Sequence, residues 1–275
     1  MKVSILLATY NSEKYIGELL DSLISQTYTQ WDLNIHDDGS SDDTLNILNE
    51  YVKQDKRINI LSNVPQKRGA AGSFMELLNS TDADYYFFCD HDDVWLPDKI
   101  EKMLSVITFM AKEFPNIPLI VHTDLKVVDE NLQTIHPSFW KSSGIKPHLL
   151  KRKRISQVFN FVTGCAMCFN KQAKIVSFPY PDNIPMHDWW ITLCTIENSG
   201  KIFEIPEPYI LYRQHSKNEV GAKTVKFSYF LNKIFDLKNT LRKQYEQIQF
   251  LKSIQGIGFF QYYCYKIYYT FIRKI

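Results

Sequence analysis

Tyr85-Tyr86-Phe87-Phe88-Cys89-Asp90-His91-Asp92-Asp93-Val94-Trp95 joins an apolar run to three carboxylates within four positions. The apolar run reads as a buried strand, so the acids sit at a sheet edge. Stacked anions repel one another unless a cation or a donor-rich ligand offsets them, and the cluster therefore points to a metal-assisted site. Hard oxygen donors favour Mg²⁺ or Mn²⁺ over zinc. A solvated turn or a helix cap uses the same residue types, so the neighbouring segments must decide.

Working outward, short apolar runs alternate with amphipathic stretches to about residue 125. Val3 to Ala8 precedes a helical pattern over Glu13 to Ser25, with Tyr15, Ile16, Leu19, Leu20, Leu23 and Ile24 on one side. Leu33 to His36 precedes Thr44 to Gln54, Ile58 to Leu61 precedes Gly72 to Asn79, and Tyr85 to Cys89 precedes Asp98 to Phe114. This repetition predicts an α/β fold with a doubly wound, mostly parallel, Rossmann-like sheet. Ligands of such sheets bind outside the carboxyl ends of the strands. Those ends carry Thr9-Tyr10-Asn11, Asp37-Asp38-Gly39-Ser40-Ser41-Asp42 and Asp90-His91-Asp92-Asp93. The loop Gln66-Lys67-Arg68-Gly69-Ala70-Ala71-Gly72 adds two cations and small residues whose N–H groups suit an anion. Beside a carboxylate-bound metal it reads as a diphosphate cradle.

Beyond residue 125 the rhythm changes. Lys151-Arg152-Lys153-Arg154 reads as a solvated face. Asn160-Phe161-Val162-Thr163-Gly164-Cys165 reads as a glycine turn entering a buried strand. Met186-His187-Asp188-Trp189-Trp190 opens a helix with Asp188 in its first turn, where an acid serves exposed N–H groups or does chemistry beside aromatic sugar platforms. His215 is either a metal ligand or a hydrogen-bonding residue. After position 215 there are eleven Lys/Arg against three Asp/Glu, with a strongly aromatic end, and no window of about twenty apolar residues. Such a segment suits an anionic membrane surface, or a helical hairpin packed on the catalytic domain or on a second copy in a homodimer.

The 275 residues are 45% hydrophobic and 23% charged, enough for a full core. A net charge of +2 does not argue for nucleic acid as a partner. Five cysteines, an odd number, fit a reduced compartment. Cys165 and Cys168 have no second close pair to complete a zinc site and read as core residues. With no cleavable leader before Val3, a cytoplasmic location is expected, on the inner face of the membrane if the tail binds lipid.

Taken in order, Ser4-Ile5-Leu6-Leu7-Ala8-Thr9-Tyr10-Asn11, Asp37-Asp38-Gly39-Ser40-Ser41-Asp42, Asp90-His91-Asp92 and His187-Asp188 resemble the inverting family 2 glycosyltransferases of the GT-A fold. Asp90 to Lys99, His187 to Trp190 and Tyr212-Arg213-Gln214-His215 look like a rhamnosyltransferase branch. The resemblance implies a nucleotide-sugar-binding half over 1–125, an acceptor-binding half over 126–215 and a C-terminal helical extension over 216–275. Thr9, Tyr10, Asn11 and Asp38 would hold a pyrimidine nucleotide, Arg68 the base or diphosphate, and Asp90 the ribose or sugar. Asp92 would hold Mn²⁺ or Mg²⁺, with Asp93 and His215 as further ligands, and Asp188 rather than His187 would be the catalytic base. Aromatic content suggests an acceptor subsite of Trp140, Trp189, Trp190 and the loop around Gly164. The implied reaction moves a sugar from dTDP-rhamnose or a UDP-hexose to a saccharide or lipid-linked oligosaccharide during surface polysaccharide synthesis. A nucleotidyltransferase would need a Gly-rich, basic loop after the first strand. A degenerate nucleotide-sugar-binding protein is disfavoured by the intact Asp92 and Asp188.

Overall fold

Val3–Thr9 forms β1, and its side chains alternate between two cores. Leu6 joins Phe74, Leu78 and Trp190 on one face, whereas Ile5 and Leu7 join Leu19, Leu23 and Met103 on the other. Both faces of the sheet are covered by helices, which is why its central strands read as continuous apolar runs. The computed structural model describes residues 1–62, 64–65, 69–215, 237–254 and 256–272.

The remaining strands are β2 (Asp32–Asp37), β3 (Ile58–Ile60), β4 (Tyr85–Cys89), β5 (Val94–Trp95), β6 (Leu119–Val128), β7 (Thr134–His136), β8 (Met167–Asn170) and β9 (Lys201–Arg213). They form one sheet in the order β3-β2-β1-β4-β8-β6-β9-β5, with β7 paired to β6. β1, β2, β3, β4, β6 and β9 run one way, while β5, β7 and β8 run against them. The sheet is thus mostly parallel, as the alternating pattern predicts. The antiparallel β8 slips between β4 and β6, so residues far beyond 125 complete the same sheet. The expected border between the two halves falls inside β6.

The helices are α1 (Ile16–Ile24), α2 (Thr44–Gln54), α3 (Ala70–Asn79), α4 (Lys99–Glu113), α5 (Phe139–Ser143), α6 (Pro147–Leu150), α7 (Lys153–Ser156), α8 (Lys171–Val176), α9 (His187–Glu197), α10 (Leu237–Ser253) and α11 (Phe259–Ile272). In α1, Ile16, Leu19, Leu20 and Leu23 are buried at helical spacing, as the sequence pattern requires. Glu13 lies before that helix, in a turn where the Ser12 carbonyl accepts from the N–H groups of Tyr15 and Ile16.

The C-terminal helices pack on the sheet domain. Ile248, Phe250, Leu251, Ile257, Tyr262 and Tyr269 enter the core that holds α3 and α9. Burying an aromatic of this size contributes about 2–3 kcal/mol. Polar contacts fix the seat: Gln157 Oε1 accepts from the Ile257 N–H at 3.0 Å, and the Tyr269 hydroxyl accepts from the Lys146 N–H at 3.1 Å. Of the two expectations for the tail, the hairpin packed on the catalytic domain is what these residues form. Among the described residues no helix is long and apolar enough to cross a membrane.

Candidate active site

β2, β1 and β4 lie side by side and parallel, so their carboxyl ends open on one edge, where strand order reverses about β1. A cleft of about 1330 Å³ occupies that edge. It exceeds the roughly 300–1,000 Å³ of a small-molecule pocket and has room for a nucleotide-sugar with an acceptor.

Two loops build the side on which a nucleotide is expected. Asn11, held at a positive φ of 48°, donates its N–H to Ser40 Oγ at 2.8 Å, and its Oδ1 accepts from the Ser41 N–H at 2.9 Å. Asp37 receives the Thr9 hydroxyl at 2.8 Å and the Ser40 N–H at 2.8 Å, closing the turn at Gly39. Gly39 has φ 87°, a conformation an L side chain rarely adopts. Asp38 faces the cleft, accepting the Ser73 hydroxyl, with His36 Nε2 at 3.2 Å. Tyr10 is 57% exposed on the cleft wall, available to stack on a flat ring. Thr9 differs from expectation in one respect: its hydroxyl is engaged by Asp37 and the residue is buried. Arg68 and Lys67, expected on the diphosphate, lie outside the described residues.

The acidic turn after β4 splits its carboxylates between two environments. Asp90, His91 and Asp92 line the cleft, and Asp92 Oδ2 lies 2.8 Å from His215 Nε2. Tyr15 stacks on that imidazole at 4.9 Å, which fixes the ring. Asp93 points inward instead. It is completely buried, its Oδ1 accepts from the Arg213 N–H at 3.1 Å, and it is absent from the cleft wall. Asp93, expected as a further metal ligand, thus sits off the cleft wall, in an inner group of donors that could hold an ion. Its carboxylate, that of Asp90 and Cys165 Sγ lie within 4.8 Å of one another. Burial pushes the Cys165 thiol well up, and as a thiol it donates a hydrogen bond to these acids. Burial, then the charge of Asp92, pushes Asp90 up to about 7. Lys99 lies under the turn, fully buried, with its ammonium on the Cys165 carbonyl at 2.7 Å and over the Trp95 ring at 3.0 Å.

Arg213, quoted above only as part of a motif, is the main residue that sequence reasoning left without a role. It is 1% exposed. Its Nε donates to the Asp92 carbonyl at 2.8 Å, its Nη1 to the Glu130 carbonyl at 2.7 Å, and its Nη2 to the Glu18 carboxylate. One side chain thereby ties β9 to the acidic turn, to α1 and to the loop after β6. An arginine between Tyr212 and His215 was the available signal; its burial was not readable.

Asp188, in the first turn of α9, lines the same cleft, and its charge acts on Asp90. Its Oδ1 accepts from Asn160 Nδ2 at 3.0 Å and from the Trp189 N–H at 2.6 Å, and its Oδ2 accepts from the Gly164 N–H at 2.9 Å. Burial pushes its carboxyl up to about 7 against these three donors. Gly164 cannot carry a side chain here, because a Cβ would lie 2.7 Å from His187 Nε2. His187 is buried between Phe74 and Phe88, at 4.3 and 4.5 Å, and burial pushes it down to about 3, so it is neutral.

The three tryptophans expected on a sugar subsite are core residues, which corrects that expectation. Trp189 Nε1 donates to the Ser156 carbonyl at 2.7 Å and Trp190 Nε1 to the Ser177 carbonyl at 2.8 Å. Trp140 packs on His122 at 5.2 Å. At 3.6 residues per turn, a helix that aims Asp188 at the cleft turns its next two positions away from it. Aromatic wall is supplied instead by Tyr15, Phe74, Phe139, Phe161 and Tyr212.

Residues 4–174 match the family profile described as glycosyl transferase family 2. The chain belongs to that family. It is 30% identical over 225 residues to the dTDP-rhamnosyl transferase RfbG of Shigella flexneri, covering 78% of this chain and 74% of that one. It is 37% identical over 105 residues to the UDP-Glc:alpha-D-GlcNAc-diphosphoundecaprenol beta-1,3-glucosyltransferase WfgD of Escherichia coli, covering 38% and 40%. Among solved structures, S. aureus TarS 1-349 in complex with UDP-GlcNAc superposes with a TM-score of 0.58 at 21% identity, covering 79% of this chain and 60% of that one. That likeness bears on the fold, and the fold is GT-A.

Proposed function

We propose that this glycosyltransferase moves a sugar, with inversion, from a pyrimidine-nucleotide donor to a saccharide acceptor, using Asp188 as the base. The observation that carries the reading is that the strand-end acids and Asp188 line a single cleft. The acceptor oxygen attacks the anomeric carbon, the bond to the diphosphate breaks with its electron pair leaving on phosphate, and the proton passes to Asp188. A carboxylate oxygen has two lone pairs. Oδ1 has both engaged by Asn160 and Trp189, whereas Oδ2 has one engaged by Gly164, so Oδ2 is the proton-accepting atom. A base whose carboxyl titrates near 7 is matched to neutral pH.

Asp92 and His215 fit a divalent cation: an oxygen and a nitrogen donor 2.8 Å apart on the cleft wall, beside the half-buried Asp90. An imidazole in the set favours Mn²⁺ over Mg²⁺. Bound there, the ion supplies positive charge to the departing diphosphate. Tyr10, Asn11 and Asp38 would receive the nucleotide, with Asp38 accepting from a ring N–H.

Two relatives favour the finer substrates. Likeness to RfbG over most of both chains supports dTDP-rhamnose ahead of a UDP-hexose, and likeness to WfgD supports an acceptor carried on a lipid diphosphate, in surface polysaccharide synthesis. A thermal-shift screen of dTDP-, UDP- and GDP-sugars with and without Mn²⁺ tests this reading. A ligand at a hundred times its Kd adds about 2.7 kcal/mol of stability. A Mn²⁺-dependent rise with dTDP- or UDP-sugars is expected; a rise with GDP-sugars alone would overturn the pyrimidine assignment, and no rise would overturn donor binding.

A further inference from the structure

Helix α11 is apolar on two opposite sides. Tyr262 and Tyr269, seven residues apart, are buried against the domain. Phe260, Cys264, Ile267 and Phe271 follow at spacings of four, three and four, which places them along one face turned away from that core. On that face Phe260 is 78%, Ile267 56% and Phe271 69% exposed. Phe259 and Tyr268 flank it, and α10 adds exposed Leu241 and Tyr245. A helix of 14 residues extends about 21 Å, too short to cross a bilayer but long enough to lie along one.

We propose that this outer face of α11 docks on an anionic lipid surface. Charge selects the occupant. Residues 216–275 carry a net +8 in a chain whose total is +2, which leaves −6 on the remainder. A two-fold contact between copies through this face would bring together two pairs of helices α10 and α11, each pair with five Lys/Arg against one Glu. An anionic bilayer complements that charge, and aromatic residues are favoured at its interface. The inner side of α11 adds a positional reason. Tyr269 bonds Lys146 and Phe159 packs on Tyr269 at 4.6 Å, and these residues adjoin Ile145 and Asn160 on the cleft wall. A docked α11 therefore holds the Asp188 side of the cleft next to the membrane, where a lipid-borne acceptor would arrive. Docking stands independently of the transfer reaction, since vesicle binding needs neither donor nor metal.

The test is flotation of the full chain with vesicles of phosphatidylcholine alone or with phosphatidylglycerol added. The wild type should bind the anionic vesicles about ten-fold or more tightly than the neutral ones, and the triple variant Phe260→Ser, Ile267→Ser, Phe271→Ser should lose about ten-fold or more of that binding. Thermal melting checks that the variant is folded. A second variant, Arg242→Glu with Lys252→Glu, alters only exposed positions and should weaken anionic binding while leaving the apolar stripe intact. Equal binding by wild type and folded stripe variant, or no binding by wild type, would overturn the proposal. So would a wild-type dimer in sedimentation equilibrium that the stripe variant dissociates, because the face would then cover a second copy.

Discussion

Two walls of the cleft each present a carboxylate, and they hold it by different means. Asp92, on the turn after β4, lies against the His215 imidazole, and its own carbonyl is braced by the Arg213 guanidinium. Asp188, on α9, is held by neutral donors from Asn160, Gly164 and Trp189. One acid bonds an imidazole beside a buried guanidinium; the other is oriented by uncharged donors while desolvation raises its pKa. Environments that differ in this way assign different work to the same side chain. In the proposed reaction the carboxylate beside the imidazole would share a cation, and the oriented carboxyl near 7 would exchange a proton.

The sharpest way to break this contrast is to swap the chemistry of each wall. Asp188→Asn keeps the shape and most of the hydrogen bonds but cannot take a proton, so kcat should fall about 10²- to 10⁴-fold. Donor affinity, read by titration calorimetry, should stay near that of the wild type. Asp92→Ala should do the reverse, removing the Mn²⁺ dependence of donor binding and weakening it by roughly ten- to hundred-fold. If both variants lost donor affinity alike, the two walls would not have separate roles.

Arg213→Met tests whether the acidic turn depends on its buried brace. Removing the guanidinium strips partners from two carbonyls and from Glu18, and should cost about 3 kcal/mol of stability in chemical denaturation. Asn160→Ala has the smallest expected effect and the most specific. The ionised carboxylate of Asp188 loses one donor, which disfavours the charged form and raises its pKa. Because the base acts deprotonated, activity should rise with pH through about 7 in the wild type. In the variant that acid limb should move to higher pH, by roughly half a unit to one unit. An unmoved limb would mean that Asn160 supports packing without tuning the base.

How much of this was legible before the fold is clearest from neighbouring residues. Asp92 and Asp93 are indistinguishable by type and both follow an apolar run, yet one faces the cleft and the other is sealed against Arg213. Trp189 and Trp190 next to Asp188 suggested a sugar platform, whereas their indoles bond the carbonyls of Ser156 and Ser177 inside the core. The basic, aromatic tail admitted a membrane-surface reading or a packed hairpin, and α11 has one face suited to each.

The sequence by itself determined the α/β alternation, the strand ends on which Thr9, Asp38 and Asp92 lie, and the first-turn position of Asp188, because periodicity and strand-end polarity are local properties. Only the tertiary structure decided that β8 inserts between β4 and β6, that Arg213 reaches Asp92 and Glu18, and that Asn160 and Gly164 hold Asp188. Those contacts join residues from 24 to 195 positions apart. The direction of each side chain there is set by the packing of two elements against each other, which no single stretch of chain encodes.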